Sequence, residues 1–227
     1  MPTSYFASPF FKFLTELTAN NDRTWFNSNK TRYIHDVQEP ALQFISDFAP
    51  RLKRISPHYV ADPRPMGGSM FRIYRDTRFS KDKTPYKEYV GIAFRQPGTD
   101  VHAPGLYLHL QPGACYAGVG VWRPESPVAN RIRQAIADQP AAWKSATRGK
   151  GFLSSWTIEG ETLSRPPKGF DPDHPFIDDI KKKDFTAGAK LTQKQVAAPR
   201  FLDDYAKLLT AAKPFQAFLA KAVGVHF

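Results

Sequence analysis

Between Arg72 and Lys87 the chain carries Arg72, Arg75, Arg78, Lys81, Lys83 and Lys87 against only Asp76 and Asp82. A surplus of four positive charges in sixteen residues is costly unless water, an internal acid or a bound anion offsets it. Arginine offers a bidentate fork and lysine a point charge, so the cassette has the chemistry of a phosphate site. The plainer reading is a solvated hairpin with local Arg–Asp pairs. His109, flanked by Tyr107 and Gln111 at alternate positions, is the strongest general acid or base in the chain, with Asp76 second. An ordinary hydrogen-bonded histidine explains the same pattern. Asp171, Asp173 and His174 cluster in DPDHPFIDD as oxygen and imidazole ligands for a divalent ion, although Asp173 as a helix cap before Pro175 accounts for the segment with less.

These groups need elements to hold them. Ser8 and Pro9 mark a helix start, with Phe10, Phe13, Leu14 and Leu17 on one face. Thr24 is placed to cap a second helix through Trp25 and Phe26, which must kink or restart at Pro40. From Ser69 to Trp122 the apolar period changes from about 3.6 to 2, predicting strands near 69–76, 88–95, 105–111 and 115–122. The cationic cassette then lies on a hairpin whose tip is SKDKTP. Helices are expected again at 126–147, capped by Ser126, and at 199–222, with a loop-rich stretch over 150–198 that includes one short helix after Pro175. The whole reads as one α+β domain over 1–227: an antiparallel or mixed sheet of at least four central strands, with N-terminal helices (about 8–56) and the C-terminal helix packed on one face.

Alternation sorts the strand residues into two sets. Phe71, Ile73, Val90, Ile92, Phe94, Leu106, Leu108, Leu110, Ala117, Val119 and Val121 form a core face. Arg72, Tyr74, Asp76, Tyr89, Gly91, Ala93, Tyr107, His109, Gln111, Tyr116, Gly118, Gly120 and Trp122 form the other. Aromatics with polar tips beside glycines describe a surface against which something packs, either a ligand or a helix of the same chain.

Composition sets the bounds. Hydrophobic residues make up 41% and aromatics 14% of 227 residues, which suits a packed core and excludes disorder. No apolar run reaches the roughly 20 residues of a membrane span, and the N-terminal stretch lacks the pattern of an export signal, so a cytoplasmic protein without membrane partners is expected. The lone Cys115 rules out an internal disulfide and sits in apolar sequence as a packed thiol. A net charge of +11 favours anionic partners, either a small molecule or nucleic acid. No cofactor-binding loop of Walker type is present.

Four blocks, NNDRTWFNSNKTRY, RIYRDTRFSKDKTPYKEYVG, YLHLQPGACYAGVGVWRPE and RPPKGFDPDHPFIDDIKKKDF, resemble the family known as domain of unknown function 2461. The resemblance spans nearly the whole chain and implies one domain of about this length in microbial proteins, with no established reaction.

The expectation that follows is a small anionic, phosphorylated ligand on the polar sheet face, with phosphoryl hydrolysis or transfer as the reaction if there is one. Arg72, Arg75, Arg78, Lys81, Lys83 and Lys87 would be charge partners, and Tyr74, Tyr107, His109 and Trp122 would shape the pocket. Arg23, Trp25 and Lys30 would close it from the helical side. A nucleic-acid module, with Phe71, Tyr74, Phe79 and Tyr86 interleaved among the cations, and a partner-binding protein whose polar face is covered are the alternatives.

Overall fold

The computed structural model describes residues 4–99 and 103–227; the reading of the N-terminal stretch therefore falls partly on Met1 to Thr3, outside them. Pro9 opens α1 (Ser8–Ala19), where its missing N–H costs nothing, but the position ahead of the helix is Ala7 and no side chain caps it. Phe10, Phe11, Phe13, Leu14 and Leu17 of α1 are buried. Asp22, rather than Thr24, caps α2 (Arg23–Ser28): its carboxylate accepts from the Trp25 N–H at 2.9 Å. α3 (Lys30–Tyr33) passes through a π turn at Ile34–Gln38 into α4 (Glu39–Ile55). That widened turn lies just before Pro40, whose ring and missing donor disturb the regular ladder, so the expected restart is a bulge rather than a break.

The two later helices are each divided. Pro140 splits the first into α5 (Ser126–Asp138) and α6 (Pro140–Arg148), because Gln139 ahead of it is pushed out of helical geometry, with φ −128° and ψ 54°. The C-terminal stretch is α10 (Phe201–Ala211) and α11 (Lys213–Val223), with Pro214 in the first turn of α11. Between them, 150–198 holds more than loops: α7 (Lys150–Leu153), β4 (Thr157–Glu159), α8 (Ile177–Ile180), β5 (Phe185–Leu191) and α9 (Gln193–Val196). Arg133 of α5 is buried here without a carboxylate, donating at 2.9 Å each to the carbonyls of Ile180 and Lys182 at the end of α8.

With β1 (Val90–Phe94), β2 (Gly105–Leu110) and β3 (Cys115–Val121), these strands form one antiparallel sheet in the order β1-β2-β3-β5-β4. The fold is α+β. All the strand residues assigned to the core face in β1, β2 and β3 are buried, joined by Phe185, Ala187 and Ala189 of β5. Helices cover that face. Phe48 of α4 meets Phe94 at 5.2 Å, Tyr205 of α10 meets Phe48 at 5.2 Å, and Gln216 of α11 donates to the Gly105 carbonyl at 2.8 Å.

The strand expected at 69–76 is not continuous. It touches the sheet only through the bridges Met70 to Ile92 and Tyr74 to Tyr86, so a step of four residues on one side faces six on the other. A bulge of this kind moves side chains between faces. Met70 pairs with core-facing Ile92, so Phe71 points to the opposite face and packs on Tyr107 at 5.8 Å, and the irregular step returns Ile73 to the core.

Gly120 pins the joint between β3 and β5. Its φ is +115°, and a Cβ there would lie 2.1 Å from the Phe185 carbonyl oxygen. Gly118, two residues earlier, has its nearest neighbour at 3.7 Å. Gly120→Ala is expected to lose at least about 2 kcal/mol in urea unfolding, from backbone strain and displaced strand pairing, while Gly118→Ala stays within about 1 kcal/mol. Equal midpoints for the two variants would refute this register.

Candidate functional site on the open face of the sheet

The strand register lines up side chains in rows across the uncovered face. Gly91, His109, Tyr116 and Lys190 are successive cross-strand partners, and so are Ala93, Tyr107, Gly118, Gly188 and Thr157. No helix among the described residues closes this face over Tyr116, which remains 38% exposed.

His109 is the centre of the cluster. Its ring lies between those of Tyr89, at 4.3 Å, and Tyr116, at 4.7 Å and 17° from parallel. Gln111 Oε1 accepts from Nε2–H at 3.1 Å, leaving Nδ1 to accept from the Tyr107 hydroxyl at 3.0 Å. The Tyr107 and Tyr116 rings lie 5.8 Å apart, and burial pushes the Tyr107 phenol far above its ordinary range. Burial also lowers the His109 pKa, so the imidazole is neutral at pH 7. With both ring nitrogens engaged, His109 holds Tyr107 and Gln111 in place and has no lone pair aimed at a substrate.

Charge is placed on two sides of the cluster. The Lys87 ammonium lies 5.7 Å from the Phe71 ring centroid and donates to the Arg72 carbonyl at 2.6 Å. Burial and nearby Arg72 lower its pKa. On the other side Lys190 sits opposite Tyr116, and the Glu159 carboxylate rests on Gly188, where an added Cβ would meet Oε1 at 2.4 Å.

The remaining hairpin cations are not gathered into one pocket. Arg75 is bound by Asp82 and Thr84, and Arg78 forms a forked pair with Asp76 at 3.0 and 2.7 Å. Lys83 donates to the Thr77 carbonyl at 2.9 Å, and Lys81 is exposed at the tip. The local aspartates claim the arginines because they lie two and seven residues away on the same loop. The pairing holds the Asp76 and Asp82 carboxyls at about 2, which leaves Asp76 without basicity for catalysis.

Several other expected site residues lie elsewhere. Tyr74 packs on Tyr86 and on Phe26 of the helical side. Trp25 packs on Phe13 at 5.6 Å, and Arg23 and Lys30 are exposed on the surface of the N-terminal helices. Trp122 follows β3, six residues or roughly 20 Å beyond Tyr116, with the Arg123 guanidinium 4.8 Å over its ring. The Asp171 carboxylate accepts from the Asp173 N–H and His174 Nδ1 from the Phe176 N–H. These are turn contacts. Asp173 caps nothing, and among the described residues no group of three His, Cys, Asp or Glu side chains could hold a metal.

Phe71, Tyr89, Gln111, Tyr116, Glu159, Gly188 and Lys190 join the site beyond the residues expected. Alternation on β2 and β3 already placed Tyr89, Gln111 and Tyr116 on the His109 face. Glu159, Gly188 and Lys190 needed β4 and β5.

The model of a family described as conserved hypothetical protein (DUF2461) matches residues 9–218. The chain belongs to that family. None of the curated proteins and none of the solved structures matches it. Membership in DUF2461 thus fits the four sequence blocks and leaves function to the geometry. No helix among the described residues is long and apolar enough to cross a membrane.

The His109 shift has a defined pH consequence. An unfolded histidine titrates near ~6.5, and the folded value is lower, so the neutral ring contributes stability fully above that pH and less as pH falls toward the folded pKa. Asp76 and Asp82, titrating at about 2, stay silent in that window. The urea midpoint should fall between about pH 7 and about pH 5 more steeply in the parent than in His109→Gln. Identical slopes would show that His109 is not held neutral.

Proposed function

We propose that this protein binds a small planar anionic ligand of the nucleotide class on the open sheet face. The observation that carries the reading is the His109 ring, fixed between Tyr89 and Tyr116 and hydrogen-bonded at both nitrogens on a face where Tyr116 stays exposed. A sheet face that only met water would not need an aromatic stack around a locked imidazole. Such a stack offers a rigid platform for another ring at little entropic cost.

Charge orients the ligand. Glu159 over Gly188 repels a phosphate but accepts from the exocyclic amine of a base, whereas Lys87 and Arg72 attract the phosphate at the opposite edge. Gly188 on β5 and Gly91 on β1 are three strand spacings apart, roughly 14 Å, which matches a nucleotide laid across the sheet. Gly118 and Gly188, paired side by side, keep the floor low beside Tyr116. Binding, rather than phosphoryl hydrolysis or transfer, is the activity this arrangement supports. His109 has no free nitrogen and Asp76 is neutralised by Arg78.

Thermal shift across nucleoside mono-, di- and triphosphates tests the reading. Stabilisation is expected to grow with phosphate number, and Tyr116→Ala should weaken binding by ~1–3 kcal/mol. Lys87→Gln should remove the dependence on phosphate number. A melting temperature unmoved by any nucleotide would refute the reading.

A further inference from the structure

The hairpin that leaves the sheet edge at Phe71 and Lys87 ends in an apolar wedge. Phe79 is 96% exposed at its tip, with the Arg78 guanidinium 5.9 Å from the ring centroid and Lys81 beside it. The loop is braced from within. Arg78 is forked onto Asp76, Arg75 is tied to Asp82 and Thr84, and Lys83 donates to the Thr77 carbonyl. Side chains spent on holding the loop's shape present one aromatic ring to solvent at a fixed place. Four cations against two acids from Arg75 to Lys83 leave the tip positive.

Rings at Tyr116, His109 and Phe71 are followed by the cations Lys87 and Arg72 and, at the tip, by Phe79 and Lys81. Phe79 lies seven positions beyond Arg72 and past the hairpin's pairing of Tyr74 with Tyr86. A chain of nucleotides can engage the sheet face and the tip together. We infer that the ligand is single-stranded nucleic acid, running from the sheet face along the hairpin, with Phe79 stacking on an unpaired base at the far end. The inference rests on the nucleotide reading of the sheet face and extends it. Unpaired bases supply flat rings to Phe79 and phosphates to Lys81 and Arg72. A lipid surface is a poorer match, because the tip neighbours Ser80, Lys81 and Asp82 are polar and one ring alone would insert.

Fluorescence anisotropy with labelled single-stranded oligonucleotides, from dinucleotide to dodecamer, tests it on the full chain. Affinity should rise with length, Phe79→Ala should lower affinity for the longer oligomers about 5-fold or more, and Lys81→Gln should reduce the salt slope by about one. Mononucleotide thermal shifts should be unchanged in both variants, whose tip position leaves folding intact. Equal binding of dodecamer by parent and Phe79→Ala, or affinity flat with length, would overturn the inference. So would Phe79-dependent capture on phosphatidylserine vesicles with no oligonucleotide binding. If mononucleotide shifts persist in those cases, the sheet reading stands alone.

Discussion

The pairing of β3 on both its edges is the constraint from which the rest follows. β3 lies between β2 and β5, so one strand sets which residues meet across three. Its inward residues Ala117, Val119 and Val121 are buried beneath the helices, and the period of two then leaves no choice for Tyr116 and Gly118. They face outward, opposite His109 and Tyr107 on one side and Lys190 and Gly188 on the other. A slip of one residue would place Tyr116 in the core and Val119 in water. The sealed inner face therefore fixes the open one.

Within that frame, polar satisfaction explains why His109 is so deeply set on an uncovered surface, at 8% exposure. Imidazole loses solvation when three tyrosine rings surround it, and a proton would have to be held there at low dielectric. Hydrogen bonds to Tyr107 and Gln111 compensate the neutral form and need one donor and one acceptor, which only the neutral ring offers. The stack is consequently uncharged, and charge enters at its margins through Lys87, Lys190 and Glu159. The same economy of partners governs the hairpin. Asp76 and Asp82 are too close in sequence to Arg75 and Arg78 to leave those guanidinium groups waiting for a ligand.

Much of this arrangement is legible in the sequence, because alternation is a local signal. Val90, Ile92, Phe94 and the leucines of β2 announce their face directly, and Tyr107, His109 and Gln111 announce the other. β5 hides because Ala187, Gly188 and Ala189 give a weak apolar signal within a stretch rich in proline and glycine, although small side chains there are what allow close packing against β3. Phe71 misleads for a different reason. The bulge between Met70 and Tyr74 changes face without altering the pattern of residue types, so no periodicity reports it. Trp122 shares a face parity with Tyr116 but not its place, since alternation fixes the side of a sheet and says nothing about distance along it. The arginine pairs were readable as local Arg–Asp matches, and the density of cations argued against them only if charge is counted without geometry.

The register at Met70 and the bulge beyond it explain how a basic hairpin can serve an aromatic face and still anchor in the core. Met70 pairs with core-facing Ile92, so Phe71 points outward, and a regular ladder would carry Ile73 outward with it. Six residues opposite four return Ile73 to the core instead, while Phe71 packs on Tyr107 with the Lys87 ammonium over its ring and the rest of the cassette projects beyond the sheet. Gly91 makes the junction possible: a Cβ there would stand 2.8 Å from the Tyr107 hydroxyl oxygen and 3.0 Å from the Phe71 ring. One missing methyl and one strand pairing thus join two surfaces, the neutral stack and the cationic loop, that net charge would not bring together.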